Sequence, residues 1–195
     1  MPVTINGNGH ISGLAVGGLP NGSVNADTLA SNAVTSAKLH DDAVVASKLP
    51  AGSIVKYQFT TSSTQTNITS TTTWTTFTGT QVDFTPTFSN SQLDITWSFA
   101  LEANQNANGI GFRIYRQSPI GGSDHKIAES YQHSHWGTGN WTGPGDIVLN
   151  WNDSPGVTTP VRYFVQGYRE TGNALYINAG SDSLGITMRV MEIKQ

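Results

Sequence analysis

Residues 91–102 read SQLDITWSFALE, and their alternation decides the fold class. Leu93, Ile95, Trp97, Phe99 and Leu101 fall on one face, while Asp94, Thr96, Ser98 and Glu102 fall on the other. A period of two marks a half-buried strand, because successive side chains of an extended backbone point to opposite sides. A helix would instead return its apolar residues after three and four positions.

Working outward, the same reading gives strands at IVKYQF (54–59), TWTTFTG (73–79), TQVDFT (80–85), GFRIYRQ (111–117) and KIAESYQ (126–132). It gives further strands at DIVLNW (146–151), VRYFVQGY (161–168), ALYIN (174–178) and GITMRVMEI (185–193). Turn formers separate them: Phe88-Ser89-Asn90, Gly121-Gly122, Gly143-Pro144-Gly145, Ser154-Pro155-Gly156 and Thr171-Gly172-Asn173. Many short strands with no helical period imply an all-β sandwich, most simply a jelly roll. VRYFVQGY is apolar on both faces, with Val161, Tyr163 and Val165 set against Phe164 and Tyr168. We therefore expect one of its faces in the core and the other against a partner subunit.

Upstream the character changes. The first 51 residues hold no aromatic residue, and every Trp, Tyr and Phe lies beyond them, which places a boundary near Pro50-Ala51-Gly52. In the aromatic-free part a large aliphatic residue returns every fifth position: Leu14, Leu19, Val24, Leu29, Val34, Leu39, Val44, Leu49 and Ile54. That spacing fits neither a helix nor a strand. The finer unit is a decad, visible on aligning GSVNADTLAS, NAVTSAKLHD and DAVVASKLPA. Such repeats are supersecondary units that bury their apolar residues only by stacking on neighbours.

Magnitudes say what the neighbours are. Ordering five residues of backbone costs about 5–10 kcal/mol per rung. Burying one Val or Leu returns about 1.5–3 kcal/mol. One chain therefore cannot hold the segment, whereas several identical chains can bring identical rungs together in layers. Flexible linkers are Gly/Ser-rich without a hydrophobic period, which separates this segment from them. The expected organisation is residues 1–20 as an attachment segment, 21–51 as an intertwined trimeric stalk and 52–195 as a β-sandwich head. The stalk core would be Val24, Leu29, Val34, Leu39, Val44, Leu49 and Ile54.

Bulk properties exclude several classes. Ten basic against 13 acidic residues give a net charge of −3, unlike the clustered Lys and Arg of nucleic-acid binders. No apolar run approaches the roughly 20 residues that cross a bilayer as a helix. The opening MPVTINGNGH lacks the charged and apolar regions of a secretory signal. There is no cysteine, hence no disulfide framework and no thiolate zinc site.

The opening TINGNGHISGLAVGGLPNGSVNADTLA with its NAVTSAKL decads resembles the N-terminal and stalk regions of tailed-bacteriophage fibre proteins. The rest is similar to the globular tips of such fibres, through Trp74 with Phe84-Thr85-Pro86, LNWNDSPGVTTPVRYFVQGY and INAGSDSLGITMRVMEI. That tip looks like the trimeric jelly roll of tumour-necrosis-factor and complement-type heads. The resemblance implies a homotrimeric virion protein, assembled in the host bacterial cytoplasm. Its N-terminus would dock on a tail, baseplate or capsid protein, and its head would bind a host-surface glycan or receptor. The same order of parts is compatible with a capsid head fibre or cement protein that stabilises the shell without a receptor role.

AESYQHSHWGTGNW holds the candidate site residues. On an extended strand His133 and His135 share a face, with His125 and Tyr131 in phase, and imidazoles so spaced can chelate a metal at a threefold axis. No second ligand cluster accompanies them, so we expect no metal and no cofactor. Trp136, Asn140 and Trp141, with His133, lie in a Gly-rich segment where exposed rings beside amides would stack on sugars. Both indoles could equally fill the core. Asp94, Glu102 and Glu129 are scattered over strands with no glycosidase-like pairing, and neither a nucleophile elbow nor a phosphate cradle is present. The expected activity is binding rather than catalysis. NIT (67–69) and NWT (140–142) match glycosylation acceptors by chance in a Ser/Thr-rich chain.

Overall fold

Decad spacing is written directly into the backbone. The computed structural model describes residues 4–5, 11–12, 18, 21–69, 73–103, 108–132, 145–171, 175–177 and 185–195. It divides into two compact units, Met1–Val45 and Ala46–Gln195. In the first unit, β1 (Thr4–Ile5) pairs antiparallel with β2 (Ile11–Ser12). Beyond them, 3-10 turns recur at Ala26–Thr28 and Ser36–Lys38, and the second unit opens with another at Ala46–Lys48. Gly22, Asn32, Asp42 and Gly52 all have positive φ, one per decad. The hydrogen bonds Ala33 N→Ala30 O (2.9 Å), Ala43 N→His40 O (3.0 Å) and Ser53 N→Pro50 O (3.3 Å) place Asn32, Asp42 and Gly52 third in their turns. That is the type II position, which only Gly, Asn and Asp occupy readily. Asn25 closes a capping box: its Oδ1 accepts from Asp27 N and Thr28 N, while Thr28 Oγ1 accepts from Asn25 N.

Among the described residues the second unit carries eleven strands: β3 (Ile54–Ser62), β4 (Thr66–Ile68), β5 (Thr75–Thr76), β6 (Val82–Phe84), β7 (Gln92–Ala103), β8 (Asn108–Gln117), β9 (Asp124–Gln132), β10 (Gly145–Asp153), β11 (Val161–Thr171), β12 (Leu175–Ile177) and β13 (Ile186–Ile193). Eight of them pair as nested antiparallel partners: β3 with β13, β6 with β11, β7 with β10, and β8 with β9. That nesting is one long hairpin. Rolling it up creates two further pairings, β13 with β7 and β11 with β8. The first sheet then holds β3, β13, β7 and β10, extended by β12 and β4. The second holds β6, β11, β8 and β9, with β5 beside β11. The fold is an all-β jelly-roll sandwich.

The core fills the space between the sheets as the alternation required. β7 contributes Leu93, Ile95, Trp97 and Phe99; β13 contributes Ile186, Met188 and Val190; β11 contributes Val161, Tyr163 and Val165. Phe77, Phe99 and Phe112 meet edge to face, with centroids 5.8–6.3 Å apart. Phe77 follows β5 in a segment that does not stay extended. A 3-10 turn at Thr78–Thr80 separates β5 from β6, where the sequence suggested two full strands. Thr80 Oγ1 holds that turn, donating to Phe77 O (2.7 Å) and accepting from Val165 N (2.9 Å).

On the second face of β11, Phe164 is only 3% exposed within the single chain. Its ring stacks on Tyr115 at 5.5 Å, and Tyr168 stacks on Trp74 at 5.2 Å. Trp74 in turn lies 3.7 Å beneath the Arg113 guanidinium.

Candidate functional surfaces

The first surface is the aliphatic ladder. Type II turns and 3-10 segments project its residues outward, and Val24, Leu29, Val34, Leu39 and Val44 are each 45–60% exposed. Leu49 is half-buried and Ile54 is exposed. Large aliphatics left so exposed at regular intervals form the kind of surface that other chains pack against.

The ladder ends where β3 begins, and β3 turns polar side chains inward. Lys56 and Gln58 turn toward the second sheet, donating to Thr85 O (2.6 Å) and Asp83 O (2.9 Å). Tyr57 and Phe59 face outward, each 56% exposed. Polar groups pointing inward from an edge strand block indiscriminate pairing, and here they leave two aromatic rings in water.

The second surface lies at the opposite edge of the same sheet. On its outer side β13, β7 and β10 frame an open cleft of about 500 Å³, lined among the described residues by Asp94, Asn150, Asn152 and Arg189, with the Trp151 backbone between the two asparagines. Trp151 pairs with buried Ile95, so its side chain leaves on the inner face. Asp94 is the cross-strand partner of Asn152, and Thr96 is flanked by Arg189 and Asn150. Arg189 Nη2 donates to Thr96 Oγ1 at 3.1 Å. No hydrogen bond or ion pair engages the side chains of Asp94, Asn150, Trp151 or Asn152 among the described residues. Trp151 stands on the edge strand and is 41% exposed. It also lines a smaller slot of about 290 Å³ with Phe112, Ile114 and Leu149.

Of the carboxylates considered from sequence, Glu129 is spent on ion pairs with Arg113 (2.9 Å) and Lys126. Asp94 lines the cleft. Arg116 bridges to Asp153 at 2.6 Å, tying the two sheets together, and Tyr163 donates to the same carboxylate oxygen at 2.8 Å. Burial, reinforced by the Asp153 charge, pushes the Tyr163 hydroxyl well above the ordinary phenol range. The Arg162 guanidinium, bidentate to Asp83 at 2.6 and 2.8 Å, holds that carboxyl below its usual range. Among the described residues no three His, Asp or Glu gather as metal ligands would.

His133, His135, Trp136, Asn140 and Trp141 lie outside the described residues. The cleft beside β10 was missed in the sequence. DIVLNW reads as a strand, and nothing local says that β10 is an edge. The available signal was the pair of amides, Asn150 and Asn152, that alternation puts on one face.

No protein-family profile matches the chain, and no curated protein matches it. Solved structures do. The chain is similar to a structure of infectious bursal disease virus, Gt strain, with TM-score 0.39 and 12% identity over 72% of this chain, but it spans only 38% of the length of that one. It is similar to the same degree to the VP2 subviral particle of infectious bursal disease virus, with TM-score 0.39, 12% identity, and coverage of 72% of this chain and 38% of that one. It is also similar to Eiger TNF from S. frugiperda, with TM-score 0.36, 8% identity, and coverage of 67% of this chain and 92% of that one. The jelly-roll assignment itself rests on the nested strand pairs described above.

Proposed function

We propose that the chain is a homotrimeric virion fibre that acts by binding rather than catalysis: residues 1–20 attach it to the particle, the decads form its stalk, and the jelly roll presents a host-binding surface. The observation that carries this reading is the ladder, regular in backbone and exposed in the single chain. Three copies would place equal rungs in dry layers and supply what one chain lacks. The outward-facing Tyr57 and Phe59 continue the exposed apolar series past Ile54 into the head. Three heads on one stem also raise effective concentration, so weak single contacts suffice to hold a particle to a cell surface.

The test is the mass and protease pattern of the full chain. We expect a trimer by sedimentation, protected over residues 20–50. Leu29→Asp and Leu39→Asp place three like charges in one layer and should open that region to protease. A compact 20.8 kDa species at micromolar concentration would overturn the reading. So would variants that remain heat-resistant trimers with an unchanged digest. Adhesion of the full chain to host cells then separates a receptor-binding fibre from a shell-decorating one.

A further inference from the structure

We infer that the β10 edge of one head packs on the outward side of β3 in the next copy, a head-to-tail contact that closes into a ring of three. The inference rests on the trimeric reading above and deepens it by naming the two surfaces that meet. Three observations carry it.

The first is where the head leaves large apolar side chains in water. Among the described residues of the second unit these are Ile54, Tyr57 and Phe59 on β3, and Val148 and Trp151 on β10. The two groups stand at opposite ends of the pairing series β3, β13, β7, β10, three strand spacings or roughly 14 Å apart. They are separate patches, and one chain cannot fold either onto the other.

The second is symmetry. A patch that meets its own copy does so about a twofold axis and makes a dimer, whereas a third of a turn joins two different patches on each chain. The last rungs, Leu49 and Ile54, belong to the head's own unit, and Ile54 opens β3. Stacking three chains on those rungs therefore imposes a third of a turn on the heads. Two patches per head are what such a ring requires, and an arrangement using β3 alone would leave Val148 and Trp151 wet.

The third is shape and chemistry. Val148 pairs with Ser98 and leaves β10 on the outer face, whereas Trp151 pairs with Ile95 and leaves on the inner face. The apolar strip is thus the edge of the sandwich, and an edge can lie across a face. Tyr57 and Phe59 supply that face, continued on β13 by their cross-strand partners Met191 and Arg189. Aromatic side chains, Met and Arg are the groups enriched where proteins meet. Beside Trp151, the slot of about 290 Å³ walled by Phe112, Ile114 and Leu149 gives an incoming ring somewhere to insert.

The experiment exploits the absence of cysteine, which lets introduced thiols report the contact without background. Phe59→Cys, Val148→Cys and Trp151→Cys are made in the full chain, singly and as the pairs Phe59→Cys with Val148→Cys and Phe59→Cys with Trp151→Cys. Each is treated with a short bis-maleimide and run on a denaturing gel, with native mass and circular dichroism measured alongside. We expect a covalent trimer from at least one paired variant and no covalent species from any single variant. Mixing and co-refolding the Phe59→Cys chain with the matching β10 chain should give covalent dimers. Dimers from Phe59→Cys alone would overturn the inference, since β3 would then meet its own copy. Paired variants that keep the trimeric mass and wild-type circular dichroism without cross-linking would overturn it too, while leaving the trimeric reading intact. A monomeric wild-type chain would sink that reading and the inference together.

Discussion

The indole Nε1 of Trp97 donates to the carbonyl oxygen of Thr80 at 2.9 Å, joining the middle of β7 to the 3-10 turn that leads into β6. Both residues are fully buried. The bond crosses from one sheet to the other, so it fixes their spacing as well as satisfying two polar groups. Trp97→Phe should cost about 1–3 kcal/mol through the orphaned carbonyl, with the lost ring volume adding to it. Thr80→Val keeps the volume but strands Val165 N, and should cost about 1–3 kcal/mol. Urea unfolding of the full chain, followed by fluorescence and far-UV circular dichroism, reads both.

Gly167 is demanded by Phe77. A Cβ on Gly167 would lie 2.0 Å from Phe77 Cζ and 3.0 Å from Ile68 Cδ1. Gly167→Ala should therefore destabilise by about 1–3 kcal/mol or more through overpacking. Phe77→Leu, harmful alone, should recover part of that loss when combined with it. A double-mutant cycle giving simple additivity would show that the two do not compete for the same space.

Alkaline pH should weaken the head through Tyr163. Its hydroxyl titrates higher when folded than when unfolded, chiefly because it is buried and secondly because Asp153 faces it. The folded state thus holds this proton more tightly, and the associated stability is complete below the unfolded phenol value of about 10 and declines as pH rises past it. Tyr163→Phe should flatten the decline above pH ~10 while costing about 1 kcal/mol at neutral pH through the lost bond to Asp153. Denaturation midpoints measured across neutral and alkaline buffers test the sign directly.

Lys194 ties the chain's end to the last decad. Its ammonium donates to Ser47 O (2.8 Å) and Leu49 O (2.5 Å), with Ala46 O at 3.4 Å. Its backbone pairs with Gly52 N (2.7 Å) and Ser53 O (2.9 Å). This explains why the second unit begins at Ala46, ahead of the composition break at Gly52. Lys194→Met should release about 1.5–3 kcal/mol of charge-assisted bonding and speed amide exchange over residues 46–53. Exchange within β7 should hardly change. Uniformly faster exchange across the head would instead point to global destabilisation.

Much of this fold is local and therefore legible. The alternation of 91–102 and 185–193 fixes two core strands, because side-chain direction along an extended backbone depends only on position. The decads were legible for the same reason: Gly22, Asn32, Asp42 and Gly52 are the residue types that accept a left-handed turn, spaced by ten. The aromatic-free N-terminal part likewise marked where a core could and could not form.

Long-range pairing decided the rest. The short stretch Thr66-Asn67-Ile68, with a single apolar residue, becomes β4 because β12 pairs with it, a partner more than a hundred residues away. β13 places Glu192 on its buried face, where Oε1 accepts from Thr87 N, Phe88 N and Ser91 Oγ. β3 turns Lys56 and Gln58 inward because carbonyls of the opposite sheet await them, leaving Tyr57 and Phe59 outside. Trp151 keeps part of its surface in water because, among the described residues, β10 pairs with β7 alone. Periodicity says that a strand has two faces; which face meets core, water or another molecule depends on what the fold brings alongside.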